Sequence, residues 1–267
     1  MTWEQQRVSF GANATTYDSI RPDWPAATAA WLTGTEPGSD REGVVLDVAD
    51  LGAGTGKLTS TLTSSGHRVT AVEPDEGMLR VLTGKLPQVR AIQGSAEQIP
   101  LPDHSVDVVT VAQAWHWMKQ PATALEIARV LRPGGLLAVA WHQRDVSVPW
   151  LAELNDLAGG PEWTETSAAD GSVDASQQVH AGHTRIDLPG AFTPVEGATF
   201  AYTLQLPVPD LARLVSSWSY VATRPDRDEV LKKSGALGER VAAEQGTPGM
   251  LAMLHRTHCY RARTVAG

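Results

Sequence analysis

The sequence has one cysteine, Cys259, in 267 residues. A lone thiol excludes an internal disulfide and suits a reducing compartment, and a small buried side chain is the role expected of it. Positive charge is also in deficit: 22 Lys and Arg stand against 30 Asp and Glu, for a formal net charge of −8. No basic stripe for a nucleic-acid backbone is therefore expected. The total does not favour acidic substrates either, although a local arginine cluster can override a total. No apolar run approaches the ~18–20 residues of a membrane span. MTWEQQRVSF lacks the basic start and apolar core of a signal peptide, so a soluble, cytoplasmic protein without nucleic-acid or membrane partners is expected. The 42% hydrophobic and 19% charged composition is that of a globular protein, and the length suits one domain with a cap or insertion. Oligomeric state is not legible.

What is present is a glycine-rich turn. Val44 to Thr59 reads VVLDVADLGAGTGKLT: an apolar run passes through Asp50 into Gly52, Gly54 and Gly56 and then into a helix-forming segment. A strand, a turn and a helix N-terminus are predicted, with backbone free to approach a nucleotide-like ligand and helical N–H groups aimed at it. A phosphate-gripping P-loop would need a glycine at Leu51 and a Ser or Thr at Leu58. The dinucleotide fingerprint would need its third glycine at Lys57. The pattern that fits is D-x-G-x-G-x-G.

From this turn onward strand-like and helix-like runs alternate, the signature of a parallel sheet with helices on both faces. Strands are predicted at Val44–Leu51, Arg68–Glu73, Val89–Gln93, Val106–Val111 and Leu136–Trp141, with helices at Trp24–Thr33, Lys57–Ser65, Pro74–Leu86 and Pro121–Leu131. Ligands in such sheets bind outside the carboxyl ends of the strands. Glu73 ends the second strand roughly 20 residues after Asp50, the offset at which an acid meets ribose hydroxyls. Its removal is expected to weaken ligand binding far more than folding.

With AVEPDEGM after the glycine pattern, and with FGANATTYDSIRPDWP, GSAEQIPLPDHSVDVV, AQAWHWM and RVLRPGGLLAVAW in order, the chain resembles the class I S-adenosylmethionine-dependent methyltransferases. It is similar to a small-molecule branch with a type 11 methyltransferase domain, that of the trans-aconitate methyltransferases. The likeness is fullest over Phe10 to Trp150, with SSWSYVAT and HRTHCYRAR as later familiar pieces. It implies an α/β, Rossmann-like, seven-stranded sheet, mostly parallel with an antiparallel last pair and with helices inserted between its last two strands. It also implies S-adenosyl-L-methionine as cofactor and a small-molecule methyl acceptor. Cofactor-binding positions implied by it are Tyr17, Arg21, Asp50, Gly52, Ala53, Gly54, Glu73, Pro74, Met78, Ser95, Ala96, Gln113 and Ala114. Asp50 orients the loop or reaches the ligand's ammonium group. Trp115, Trp117, Trp141 and His142 are expected in the substrate pocket, with core packing as the competing role for Trp115 and Trp117. His116 is the candidate catalytic base, or else a pocket wall. A sulfonium-assisted rearrangement or decarboxylation, and a non-catalytic cofactor-binding module, are the alternatives to methyl transfer.

Residues 1–150 are expected to hold an N-terminal arm and the cofactor-binding core. Residues 151–267 are expected to complete the same domain with a lid or loop, inserted helices and the last two strands. Gly159 to His183 reads as a long loop, Phe192 to Leu206 as a strand or hairpin, Pro209 to Thr223 and Asp226 to Glu244 as helices, and Met250 to Arg263 as a strand. His180 and His183 are one residue short of the i, i+4 pairing of a zinc helix, and His255 and His258 face opposite sides of a strand, so no metal is expected.

Overall fold

A computed structural model describes residues 14–160, 179–181, 184–186, 188 and 190–265, with the side chains of 15–17, 179–181, 184, 185 and Ser219 outside the description. Strands too apolar to expose either face build a sheet covered on both sides. β1 (Asp47–Leu51), β2 (Arg68–Glu73), β3 (Arg90–Gln93), β4 (Val106–Ala112) and β5 (Leu131–Arg144) are parallel. β8 (Glu196–Pro207) and β9 (Met250–Arg263) complete a seven-stranded sheet of order β3-β2-β1-β4-β5-β9-β8, in which β9 runs antiparallel to both neighbours. Successive residues go to opposite faces: Val48 and Val108 pack with Leu32, Leu58 and Leu62, while Ala49 and Val109 pack with Ile127 and Trp115.

Helices α1 (Ala14–Ile20) and α2 (Ala26–Thr33) precede the sheet, and α3 (Lys57–Ser64), α4 (Glu76–Lys85) and α5 (Ala122–Val130) form crossovers. α6 (Pro149–Ala158) joins α7 (Asp210–Ser216), α8 (Ser219–Ala222) and α9 (Arg227–Glu244) around a second core of Leu154, Leu211, Leu237 and Val241. The last three helices lie between β8 and β9. Among the described residues no helix is long and apolar enough to cross a membrane.

Three differences from the sequence reading matter. β5 runs on to Arg144, because the polar His142-Gln-Arg end is held by its ladder to β9, down to the pair Arg144 and His255. The single helix expected over Pro209–Thr223 breaks at Trp218: Ser217 Oγ turns back onto Leu214 O at 2.6 Å, and Trp218 takes an extended conformation and is buried. The expected loop at Gly159–His183 contains β6 (Val179–Ala181), paired with β7 (Thr184–Ile186); three residues are too few to show a period.

Candidate functional site

Parallel pairing of β1 with β2 and β4 brings three carboxyl ends together, and the turn after β1 opens a cleft there. Gly52 N donates to Val72 O at 2.8 Å, which pins the turn to the end of β2. At Gly52 φ is +64°, and a Cβ would stand 2.7 Å from Ala114 Cβ. At Gly54 φ is +57°, but a Cβ would meet nothing within 4 Å; the backbone there is bared to the cleft. Gly56 is the N-cap of α3, where a Cβ would stand 2.8 Å from Leu82 Cγ, and the glycines thus divide between close packing and open approach.

Two acids sit behind the turn in different states. Glu73 is buried, and its Oε2 accepts from Gly54 N at 2.8 Å while Oε1 accepts from Asp75 N at 2.9 Å. A carboxylate has lone pairs beyond those two bonds, enough to accept from a cis-diol. Asp75 caps α4 by accepting from Met78 N at 3.0 Å. Asp50 is buried and held by the hydroxyls of Thr59, at 2.6 Å, and Thr110, at 2.9 Å. Both of its oxygens thus fix the loop. Burial raises its pKa to about 6 against those two bonds. The folded state holds this proton more tightly than the unfolded chain, so stability is fully present below about pH 4 and is lost as pH rises through about 6. The difference in thermal midpoint between wild type and Asp50→Asn should accordingly drop from pH 4 to pH 7. Parallel curves would show that Asp50 is not desolvated.

The opposite wall follows β4. Gln113 takes φ +57°, unusual for a side chain with a Cβ, and is held by N to Ala140 O at 2.9 Å and Nε2 to His142 O at 3.1 Å. Gln113, Ala114, Trp117 and Met118 line the cleft. Trp115 does not; it is 1% exposed in the core. Trp141 also packs in that core, against Tyr260, because strand alternation sends it to the face opposite His142. His116 stands outside the lining; part of its surface is exposed, but its ring accepts from Trp141 Nε1 at 3.5 Å through Nδ1, and desolvation lowers its pKa to about 4.

Of the other expected positions, Arg21, Ala53, Pro74, Met78, Ala96 and His142 line the cleft. Ser95 does not, and bridges to Gln98 instead. Tyr17 lies in α1 with its side chain outside the described residues, as is that of His180; His183 is wholly outside them. Among the described residues no cluster of three or more metal-ligating side chains occurs.

The far end of the cleft escaped sequence reasoning. Trp24, Arg144, Trp218 and His255 line it. Trp24 stacks on His142 with centroids 3.7 Å apart, and Tyr202 lies 5.0 Å from His142 and 5.1 Å from His255. His142 Nδ1 and Thr257 Oγ1 share a 2.7 Å hydrogen bond. Desolvation, reinforced by nearby cations, lowers the pKa of His142 to about 3 and that of His255 to about 4, so both are neutral at pH 7. Arg21 donates to Ser217 O at 2.9 Å, tying the start of the chain to the break before Trp218. The family-like segments FGANATTYDSIRPDWP, SSWSYVAT and HRTHCYRAR contain Trp24, Trp218 and His255, but none of them contains Arg144 and none assigned these side chains to the cleft.

A family model for a methyltransferase domain matches residues 49–139. An uncharacterized methyltransferase of Mycobacterium tuberculosis is 42% identical over 219 residues, covering 82% of this chain and 79% of that protein. One from Schizosaccharomyces pombe is 33% identical over 238 residues, covering 84% and 87%. A methyltransferase-fold structure from Anaeromyxobacter dehalogenans superimposes with a TM-score of 0.56 at 23% identity, over 92% of this chain and 97% of its own. A phosphoethanolamine N-methyltransferase of Haemonchus contortus, solved with phosphomonomethylethanolamine and S-adenosylhomocysteine, gives 0.54 at 13% identity, over 99% of this chain and 59% of its own. The structural likenesses concern the fold.

Proposed function

The chain belongs to the class I S-adenosylmethionine-dependent methyltransferases, and we propose that it moves the cofactor's methyl group onto a small-molecule acceptor lodged between Trp117 and the His142–Arg144 end of the cleft. The observation that carries this reading is the continuity of one cleft, open to solvent, whose lining runs from Glu73 past the bared Gly54 backbone to His255.

The residues present suit the cofactor. Glu73 would accept from the ribose hydroxyls, Ala96 and Met78 would hold the base, and the backbone of Gly52 to Gly54 would hold the amino-acid portion. When bound, S-adenosylmethionine supplies an electrophilic methyl group on a sulfonium centre. The chain's own work is to align the acceptor and exclude water, and good alignment alone can lower a barrier by ~7–11 kcal/mol. Trp117, on the cleft wall, offers a ring face that attracts positive charge by ~0.5–2 kcal/mol. Desolvation holds the histidines that line the cleft, His142 and His255, in the neutral form at pH 7, and the reading gives the chain a positioning role.

The test is a screen of small acceptors with mass detection of both the methylated product and S-adenosylhomocysteine. His116→Gln is expected to retain turnover within a few-fold and the wild-type pH profile. A ~10²–10⁴-fold loss with an altered profile would make His116 the base instead. Cofactor binding without S-adenosylhomocysteine formation across the screen would overturn methyl transfer to a small molecule.

A further inference from the structure

Resting on that reading, we propose that the methyl acceptor is an oxyanion, a carboxylate- or phosphate-bearing small molecule whose charged group is bound by Arg144. Arg144 ends β5, two residues beyond His142 and on the same face. Its partners are all neutral: Nη2 donates to Asn155 Oδ1 at 2.9 Å and to Tyr220 Oη at 3.0 Å, and its guanidinium carbon lies 3.9 Å from the centre of the Trp218 ring. Nε is buried with no hydrogen-bond partner. Among the described residues no carboxylate pairs with it. By contrast Arg68, Arg129, Arg132, Arg256 and Arg261 each hold one at 2.7 or 2.8 Å. The adjacent acid, Asp145, is turned away onto Arg256 by strand alternation.

A guanidinium stays charged at any physiological pH, and enclosed charges are ordinarily paired. Arg144 lines the cleft. The carboxylates of the lining, Asp50, Glu73 and Asp75, all lie at the glycine-turn end, where the lining cation Lys57 is itself paired with Asp23 at 2.8 Å, whereas Arg21 and Arg144 lie toward the other end, and the field of Arg21 adds to the desolvation that lowers the pKa of Arg144. Glu73 on β2 and Arg144 on β5 are separated by three strand spacings, roughly 14 Å of sheet. Two further buried atoms lack partners near Arg144: Nε2 of His142, two residues earlier on the same strand, and Oη of Tyr202, which pairs in register with His255, itself opposite Arg144. Together the Arg144 Nε–H, the Tyr202 hydroxyl and the His142 Nε2 offer an oxyanion a charge-assisted hydrogen bond with neutral polar groups beside it. The overall net charge of −8 conceals this local reversal.

Citrate, inorganic phosphate and neutral succinamide would be titrated into the full-length chain saturated with S-adenosylhomocysteine. The signals followed are the Arg144 Nε–H resonance and tryptophan fluorescence. Citrate or phosphate is expected to shift both and succinamide neither; which anion does so separates a carboxylate from a phosphoryl acceptor. Arg144→Gln should lose at least ~10-fold in anion affinity with S-adenosylhomocysteine affinity within twofold, and Arg144→Lys should recover part of the loss. Three results would overturn the proposal: no anion binding by the loaded wild type at tens of millimolar, equal anion binding by Arg144→Gln, or a loss of S-adenosylhomocysteine affinity as large as that for the anion, which would assign Arg144 to the cofactor's carboxylate. A wild type that does not bind S-adenosylhomocysteine at all fails the methyl-transfer reading itself.

Discussion

Glu73→Ala is expected to weaken S-adenosylhomocysteine binding roughly 10- to 150-fold, the equivalent of the ~1.5–3 kcal/mol carried by hydrogen bonds to a charged group. From the sequence this acid has one duty, toward the ligand, and its loss should leave the fold untouched. The structure revises that second half. Glu73 accepts from Gly54 N and Asp75 N, so alanine leaves two N–H groups without acceptors at the cleft floor. Each costs ~1–3 kcal/mol where water cannot replace the partner, and at ~2–4 °C per kcal/mol for a chain of this size the thermal midpoint should fall by several degrees. Glu73→Gln should lose less, because its carbonyl oxygen can still accept one of the two bonds. Calorimetric titration beside thermal melts separates the effects. A folded Glu73→Ala with wild-type cofactor affinity would move the ribose site elsewhere.

Gly52→Ala is expected to be the more damaging of two single-methyl insertions in the turn. Its Cβ would lie 2.7 Å from Ala114 Cβ, closer than such atoms approach, and at φ +64°. Left-handed strain of ~1–2 kcal/mol adds to ~1–3 kcal/mol of overpacking, so a loss of about 2–5 kcal/mol in stability should accompany the loss of binding. Gly54→Ala shares the strain but not the clash, since its methyl enters open cleft. It should lower cofactor affinity with only ~1 kcal/mol of lost stability. A Gly52→Ala protein as stable as wild type would show that the turn does not rest against Ala114.

The parts legible in the sequence are those where one residue type has one local job. Apolar runs, capping residues and glycine punctuation located β2 and β9 to the residue, and the acid ending β2 was placed by spacing alone. The four aromatic and basic side chains at the far end were not legible, because they meet only through the sheet order. Arg144 and His255 are far apart in sequence and become neighbours by the antiparallel β5–β9 ladder. His255 was set aside as a metal ligand by its odd spacing from His258; the same spacing turns it inward to the cleft while His258 meets Thr199 on the other face. Trp115 and Trp141 illustrate the reverse error of scale. A large aromatic beside a ligand motif looks like a pocket wall, and burial in the core is decided by tertiary packing that periodicity over three residues cannot reveal.

The central claim is that the cleft beside Gly52 to Gly54 and Glu73 is an S-adenosylmethionine site. Calorimetric titration of the wild-type chain with S-adenosylhomocysteine, NAD and ATP tests it most directly. Saturable binding of S-adenosylhomocysteine with one site per chain, and no heat from NAD or ATP at the same concentrations, is the predicted result. Tight NAD binding with no response to S-adenosylhomocysteine would contradict it.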